Sequence, residues 1–294
     1  MKKKLLVTGA TGFLGSHFVE GIDARAYQVH PFSQHTMDLT DFKSVQKAVA
    51  GVTPDVIVHL GGLVDLTRNF DVAAKCIDVN ISGTLHVLEA IREHAPKLFI
   101  YISTEEVYGN APIPYKEDVT LLHPPSPYAM TKVAGEQLCG MYGRYLGFPV
   151  IILRVGTMYG PNDSGKRFIP GIIRNALRGA DILLNSGNKL RDYVFVKDVV
   201  DALIRCLDIR EKKDVMEINI GGGKSFTLRF LVEKIVELCQ STSSIRYGAF
   251  PDRQLEADVW KMEIKKAKRI LGWEPKTSLE DGLSQTIEYY KTHG

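Results

Sequence analysis

Leu5-Leu6-Val7-Thr8-Gly9-Ala10-Thr11-Gly12-Phe13-Leu14-Gly15 joins an apolar run to an amphipathic stretch near the start of the chain. Such a junction reads as a strand turning sharply into a helix. Glycines without Cβ atoms let the backbone turn tightly and approach a pyrophosphate, and the unpaired N–H groups and positive dipole end of the next helix face the anion. A glycine-rich turn can also serve helix-to-strand packing alone, so the triplet takes its meaning from its place at the opening of a βαβ unit. Gly9, Thr11, Gly12, Phe13, Leu14 and Gly15 are therefore the first candidates for holding a dinucleotide.

Outward from that loop, apolar runs of strand length recur at residues 5–8, 56–60, 98–103 and 150–153, separated by helical periodicity over 72–95 and 127–146. The alternation predicts a parallel sheet. Strands apolar on both faces need helices on both sides, and right-handed crossovers then give a doubly wound α/β Rossmann architecture with ligands at the carboxyl ends of the strands. After Gly160-Pro161 the rhythm changes to shorter amphipathic stretches at 169–177, 199–207, 228–238 and 279–290. The expectation is a dinucleotide-binding domain over 1–160 plus a returning strand near 215–222. A smaller α/β substrate-binding lobe takes the discontinuous remainder of 161–294, with a ligand cleft between the two.

A chain of 294 residues exceeds a usual single core. Thirty-seven basic and 34 acidic residues leave a net charge of +3. The dense basic runs, Lys2-Lys3-Lys4 and Lys265-Lys266-Ala267-Lys268-Arg269, read as solvated faces, so no nucleic-acid partner is expected. Cys76, Cys139, Cys206 and Cys239 lie far apart, without zinc-ligand spacing or the density of a disulfide scaffold, which predicts reduced thiols and no metal. No apolar stretch is long enough to span a bilayer, and the opening residues run straight into the first strand without room for a signal peptide. A soluble cytoplasmic protein with no membrane partner is expected.

Tyr128-Ala129-Met130-Thr131-Lys132 puts a phenol and an ammonium four residues apart on one helical face. Alone, such a pair is more often a solvent-facing one. Here the apolar strand at 100–103 runs into Ser103-Thr104-Glu105-Glu106, delivering hydroxyls and carboxylates to the sheet edge that carries the glycine loop. An adjacent lysine ammonium favours the phenolate, and Tyr128 could then exchange a proton with a substrate hydroxyl as hydride moves to or from a nicotinamide.

Taken together these residues resemble an extended short-chain dehydrogenase/reductase of the nucleotide-sugar epimerase/dehydratase family. Gly9 to Gly15 match its cofactor loop, Tyr128 with Lys132 its Tyr-x-x-x-Lys pair, and Thr104 its Ser/Thr position on the reacting oxygen. Asp38-Leu39, where the family's aspartate approaches adenine, Leu60-Gly61-Gly62 after His59, and Asn80 before Gly83-Thr84 are further marks, as are Arg154 through Gly160-Pro161, Arg191 through Val199, and Leu271-Gly272-Trp273. The resemblance implies reversible oxidation at C4 of a sugar carried on a nucleoside diphosphate. It also implies cofactor contacts from Asp38, Leu39, Leu60, Gly61, Gly62, Asn80, Tyr128 and Lys132, and a homodimer built on the helices at 72–95 and 127–146.

Arginine's planar fork suits a diphosphate, and Arg191 and Arg253 occupy positions where relatives hold it; the alternative is a surface ion pair with Asp192 or Asp252. Lys166, Arg167 and Phe168 are expected to close over the substrate, and Thr157 stands where relatives usually carry a sugar-contacting asparagine. Simple epimerases of the family have small or hydroxyl residues after the Ser/Thr, whereas members that eliminate water or decarboxylate have an acid. Glu105 and Glu106 are therefore candidates for dividing acid and base work beside a C4 ketone, or for a structural role in which one points away to solvent or a salt bridge.

The second strand should end at Ser33, where an NAD site normally has a carboxylate for the ribose hydroxyls, so the cofactor is NAD or NADP with a lean to NADP; His30, His35 or Arg25 could approach a 2′-phosphate. Besides the epimerase/dehydratase, two rivals stand: an NADPH-dependent 4-ketoreductase of a nucleotide-linked 4-keto-6-deoxy sugar, and a catalytically idle NADP-sensing regulatory protein, against which the intact Tyr128 and Lys132 count.

Overall fold

The computed structural model describes residues 2–65, 69–163, 167–209, 215–252 and 256–293. In chain order the strands are β1 (Lys3–Thr8), β2 (Tyr27–Phe32), β3 (Val56–His59), β4 (Leu98–Thr104), β5 (Val150–Val155), β6 (Thr157–Tyr159), β7 (Ile182–Leu183), β8 (Leu190–Phe195), β9 (Val215–Ile220), β10 (Ser225–Thr227) and β11 (Ile245–Arg246). The helices are α1 (Phe13–Gly21), α2 (Phe42–Val52), α3 (Ala73–Cys76), α4 (Gly83–Ala90), α5 (Pro127–Leu146), α6 (Phe168–Leu177), α7 (Val196–Cys206), α8 (Leu228–Leu238), α9 (Lys265–Leu271) and α10 (Leu279–His293).

A parallel six-stranded sheet runs β2-β1-β3-β4-β5-β9. Neighbouring side chains on each strand go to opposite cores: Leu5, Val7, Val56 and Val58 join α1, α7 and α9 on one face, while Leu6 and Ile57 join α2, α4 and α5 on the other. This is the doubly wound α/β arrangement, and apolar strands without polar alternation are its signature. β9 returns from the second half of the chain to pair with β5 from Val150↔Val215 to Val155↔Ile220. A separate core gathers α6, α8 and α10 with β8, and the smaller sheets run β10-β8-β6 and β11-β7.

The helix expected over 72–95 is shorter and irregular. A 3-10 turn (Phe70–Val72) leads into α3, a π-helical stretch (Ile77–Ser82) follows, and α4 stops at Ala90. Beyond Ala90 the chain passes through tight turns, Arg92 N donating to Glu89 O and His94 N to Ile91 O, before Pro96 leads into β4. Helix α5 keeps its expected bounds: the Ser126 hydroxyl caps it by accepting from Ala129 N, Pro127 fills the first turn, and Gly147 ends it at φ +73°. Trp273, fully buried, donates from Nε1 to Asp198 O at 2.8 Å and pins the C-terminal segment to α7.

Candidate active site

The glycine loop forms a cradle that leaves no room for side chains. Gly9 takes φ +65°, and a Cβ there would lie 2.7 Å from Gly61 N. A Cβ on Gly15 would lie 2.1 Å from Gly9 O. The first turn of α1 has no side-chain cap, so its N–H groups are open to an anion, which is the chemistry a dinucleotide pyrophosphate requires. Thr11 and Gly12 are exposed at this turn and Phe13 is half-buried, whereas Leu14 points into the core and can contribute only its backbone.

Beneath the cradle a polar chain fixes the turn after β3. Gly61 N donates to Thr8 Oγ1 at 2.8 Å, Thr8 Oγ1 and His59 Nδ1 lie 2.7 Å apart, His59 Nε2 and Thr84 Oγ1 lie 3.1 Å apart, and Thr84 donates to Asn80 O at 2.7 Å. Since the Thr84 proton goes to Asn80, Nε2 carries the imidazole proton and Nδ1 accepts from Thr8. Burial first, and the Lys132 ammonium second, lower the His59 pKa to about 3, so the ring is neutral. Asn80 then locks the turn to α5: Oδ1 accepts from Leu63 N at 2.7 Å, and Nδ2 donates to Leu63 O at 3.0 Å and Thr131 Oγ1 at 2.9 Å. Asn80 lies in the π-helical stretch, where a widened turn re-aims a side chain. The Leu39 side chain packs at Gly61 and Gly83, Leu60 is half-buried and Gly62 exposed.

At the end of β2, Ser33 N donates to Thr36 Oγ1 at 2.9 Å. The Asp38 carboxylate accepts from Thr40 N at 2.9 Å and the Thr40 hydroxyl at 2.8 Å, bonds that hold its pKa below the ordinary value. Arg25 is paired with Asp23 at 3.1 Å. The His30 Nε2 atom is shielded from solvent with no hydrogen-bond partner among the described residues.

Tyr128 sits in the first turn of α5, only 8% exposed. Thr104, the last residue of β4, hydrogen-bonds it, and the same hydroxyl accepts from Glu106 N at 3.3 Å. The phenol differs from the expectation of an activated group: burial, then the Glu106 carboxylate, raise its pKa, against the opposing pull of Arg167 and Thr104. The Lys132 ammonium lies 4.1 Å from the centre of the Tyr101 ring, and burial lowers its pKa to about 8. Arg167, ion-paired with Asp163 at 3.5 Å, extends over the Phe13 ring at 5.7 Å and links the glycine loop to α6.

Neither glutamate points to solvent. Glu105 is 2% exposed and Glu106 3%, and the 3-10 turn Glu105–Tyr108 sends them apart instead of alternating them as a strand would. Glu106 Oε2 accepts from the Ser126 hydroxyl at 3.3 Å and acts on Tyr128. Glu105 Oε1 accepts from the Thr157 hydroxyl at 2.7 Å on β6. Burial and the Asp192 carboxylate raise the Glu105 pKa well above the carboxylate range.

Arg191 is buried, and its partner is Glu256, not Asp192: Nη2 lies 2.7 Å from Glu256 Oε1, and the guanidinium stacks 4.3 Å over Trp260. Asp192 is itself buried and accepts from Gly222 N at 2.5 Å and Met262 N at 3.2 Å. Phe168 opens α6 at 41% exposure. Lys166 and Arg253 lie outside the described residues.

Arg154, which the sequence offered only as a mark of the resemblance, lies at the centre of a buried network. Buried Arg154 on β5 grips Glu136 of α5 through Nε at 3.0 Å and Nη2 at 2.7 Å, and donates from Nη1 to Tyr108 OH at 2.9 Å; Tyr108 donates in turn to Asn219 Oδ1 at 2.8 Å. Glu136 follows Lys132 by four residues on the same helical face, a signal the sequence did contain.

The family model described as NAD dependent epimerase/dehydratase family matches residues 5–221. The chain is 30% identical over 322 residues to the UDP-N-acetyl-alpha-D-glucosaminuronate decarboxylase of Bacillus cytotoxicus, covering 99% of this chain and 98% of that protein. It is 28% identical over 337 residues to the dTDP-glucose 4,6-dehydratase of Salmonella typhimurium, covering 98% and 92%. Among solved structures, it matches the UDP-glucose 4-epimerase of Thermotoga maritima with UDP-glucose at TM-score 0.91 and 27% identity over 99% of both chains. It matches RMD from Pseudomonas aeruginosa complexed with NADPH at TM-score 0.89 and 25% identity over 100% of both.

Proposed function

The chain belongs to the NAD-dependent epimerase/dehydratase family of extended short-chain dehydrogenase/reductases, and on that footing we propose that it oxidises C4 of a nucleoside-diphosphate sugar reversibly, with epimerisation or dehydration following. The observation that carries the reading is Tyr128, buried in the first turn of α5 and bonded to Thr104, with Glu106 acting on it and Lys132 one turn further along its helix. In this scheme the cradle of Gly9, Gly12 and Gly15 holds the pyrophosphate of NAD or NADP. The bound nicotinamide supplies the hydride acceptor. Tyr128 takes the proton of the C4 hydroxyl as its phenolate, a form that burial and Glu106 oppose and that Arg167, the Thr104 hydroxyl and the Lys132 ammonium one turn along α5 would favour, while Thr104 holds the same oxygen. In the same scheme Glu106, whose carboxylate acts on Tyr128, would take the C5 proton once C4 is a ketone. Arg191 serves the diphosphate by exchanging Glu256 for phosphate oxygens.

A second reading, an NADPH-dependent reductase of a nucleotide-linked 4-keto sugar, draws support from the end of β2, where the hydroxyls of Ser33 and Thr36 stand in place of a carboxylate, and from the NADPH in one similar structure. Incubation with UDP-, dTDP-, CDP- and GDP-hexoses and with their 4-keto-6-deoxy derivatives, with and without NADPH, separates them. The expected result is a C4 epimer or a 4-keto-6-deoxy sugar with no net loss of cofactor. Stoichiometric NADPH consumption establishes the reductase in its place, and no conversion of any sugar nucleotide overturns both.

A further inference from the structure

Proton exchange at Tyr128 calls for a charged Lys132, yet the lysine is buried. Resting on the C4-oxidation reading, we propose that Tyr101 is a positioning residue, the face of its ring seating the Lys132 ammonium and keeping it protonated where a carboxylate would otherwise be needed.

The seat is built from two elements. Tyr101 is buried on β4, in register with His59 of β3, and the Lys132 Nζ atom lies 4.1 Å from the centre of its ring, well inside cation–π range. Gly135 makes that approach possible. It follows Lys132 by three residues on the same side of α5, and a Cβ there would lie 2.7 Å from Tyr101 Cζ. The helix therefore passes over the phenol at a distance that a side chain at 135 would prevent, and ring, glycine notch and ammonium are fixed relative to one another.

The charges around Lys132 give the ring its role. A buried ammonium is costly unless something compensates it, and burial lowers the Lys132 pKa to about 8. The carboxylate that acts on it, Glu136 one turn further along α5, is gripped by Arg154 at 2.7 Å, which offsets much of its field. The other titratable neighbours are uncharged near neutral pH: burial lowers the His59 pKa to about 3 and raises those of the Cys139 thiol and of the Tyr101 and Tyr128 phenols. What faces the ammonium is the electron-rich surface of Tyr101. A carboxylate in its place would compensate the cation more strongly, but it would act on Tyr128 as well, since Tyr101 and Tyr128 are electrostatic neighbours. A second negative charge there would join Glu106 in opposing the phenolate. The ring supports Lys132 through its quadrupole and adds no net charge.

The test changes the electrons of the ring and not its shape. Tyr101 is replaced by phenylalanine, and then by phenylalanines carrying one, two and three ring fluorines, each of which draws electron density from the face. The Lys132 pKa is read in the ligand-free protein from the carbon-13 shift of its Cε, the signal being assigned by its loss in Lys132→Met. Tyr101→Phe is expected to titrate with the wild type, and the trifluorinated ring to lower the pKa by about one unit, with the intermediate rings between. A lysine whose pKa falls loses its charge at lower pH, so the alkaline limb of kcat/KM for a converted nucleotide sugar should move down by the same amount. A pKa that stays flat across the fluorine series overturns the inference, because these rings pack alike, and so does a falling pKa that leaves the alkaline limb in place. A flat series in an enzyme that converts nucleotide sugars leaves the C4-oxidation reading standing. Conversion of no nucleotide sugar by the wild type contradicts that reading itself and removes the role of Tyr101 with it.

Discussion

In the crevice, backbone meets backbone. The 2.1 Å that would separate a Gly15 Cβ from Gly9 O cannot be relieved by a rotamer change, because both atoms belong to the main chain. Gly15→Ala is therefore expected to force the loop open and weaken NAD(P)H binding by about tenfold or more in a fluorescence titration, with far-ultraviolet circular dichroism unchanged. Retained affinity would show that the loop does not hold the dinucleotide. The glycines, Thr104, Tyr128 and Lys132 were legible because each depends on spacing along one element. The partner of Arg191 was not: Glu256 reaches it from a distant segment, and no local pattern announces an ion pair closed by tertiary structure. The divergence of Glu105 and Glu106 was hidden too, since strand alternation was the natural expectation and a 3-10 turn replaced it.

Elements carry the site by being fastened to one another. Helix α5 bears Tyr128 at its start and Lys132 one turn later, and two buried contacts hold it: Asn80 to Thr131 from the π-helical stretch, and Arg154 to Glu136 from β5. Removing one member of a buried pair leaves the other charged and unsolvated, at a cost of about 3–5 kcal/mol. Arg154→Met should lose stability on that scale in urea denaturation, with Glu136 stranded. A loss no greater than that of a surface substitution would mean that the pair does not fasten α5 to the sheet. The bounds of α5 were readable from Ser126, Pro127 and Gly147, which signal helix ends chemically. The π-helical turn was not, because residues 72–95 keep a helical periodicity throughout and Asn80 departs from regular helix to satisfy Leu63 and Thr131, partners separated from it in sequence.

The whole molecule sets one constraint: the carboxyl ends of β1, β3 and β4 lie side by side in a parallel sheet, so the glycine loop, the Leu60-Gly61-Gly62 turn and Thr104 open on one edge. That arrangement was readable from apolar runs alternating with helical periodicity, whereas the packing of α6, α8 and α10 around β8 depends on side chains meeting across irregular connections. At that edge, on the proposed function, a sugar C–H at C4 delivers hydride while Tyr128 takes the hydroxyl proton. The direct measurement is rapid mixing of the cofactor-loaded protein with a nucleotide sugar that it converts, carrying either hydrogen or deuterium at C4, while following cofactor reduction, in the wild type and in Tyr128→Phe. The expected result is a reduction phase slowed by deuterium about two- to sevenfold, and a loss of at least about 100-fold in Tyr128→Phe with cofactor still bound. Reduction at the wild-type rate in Tyr128→Phe, or conversion of the sugar without any transfer of the C4 label to cofactor, would contradict it.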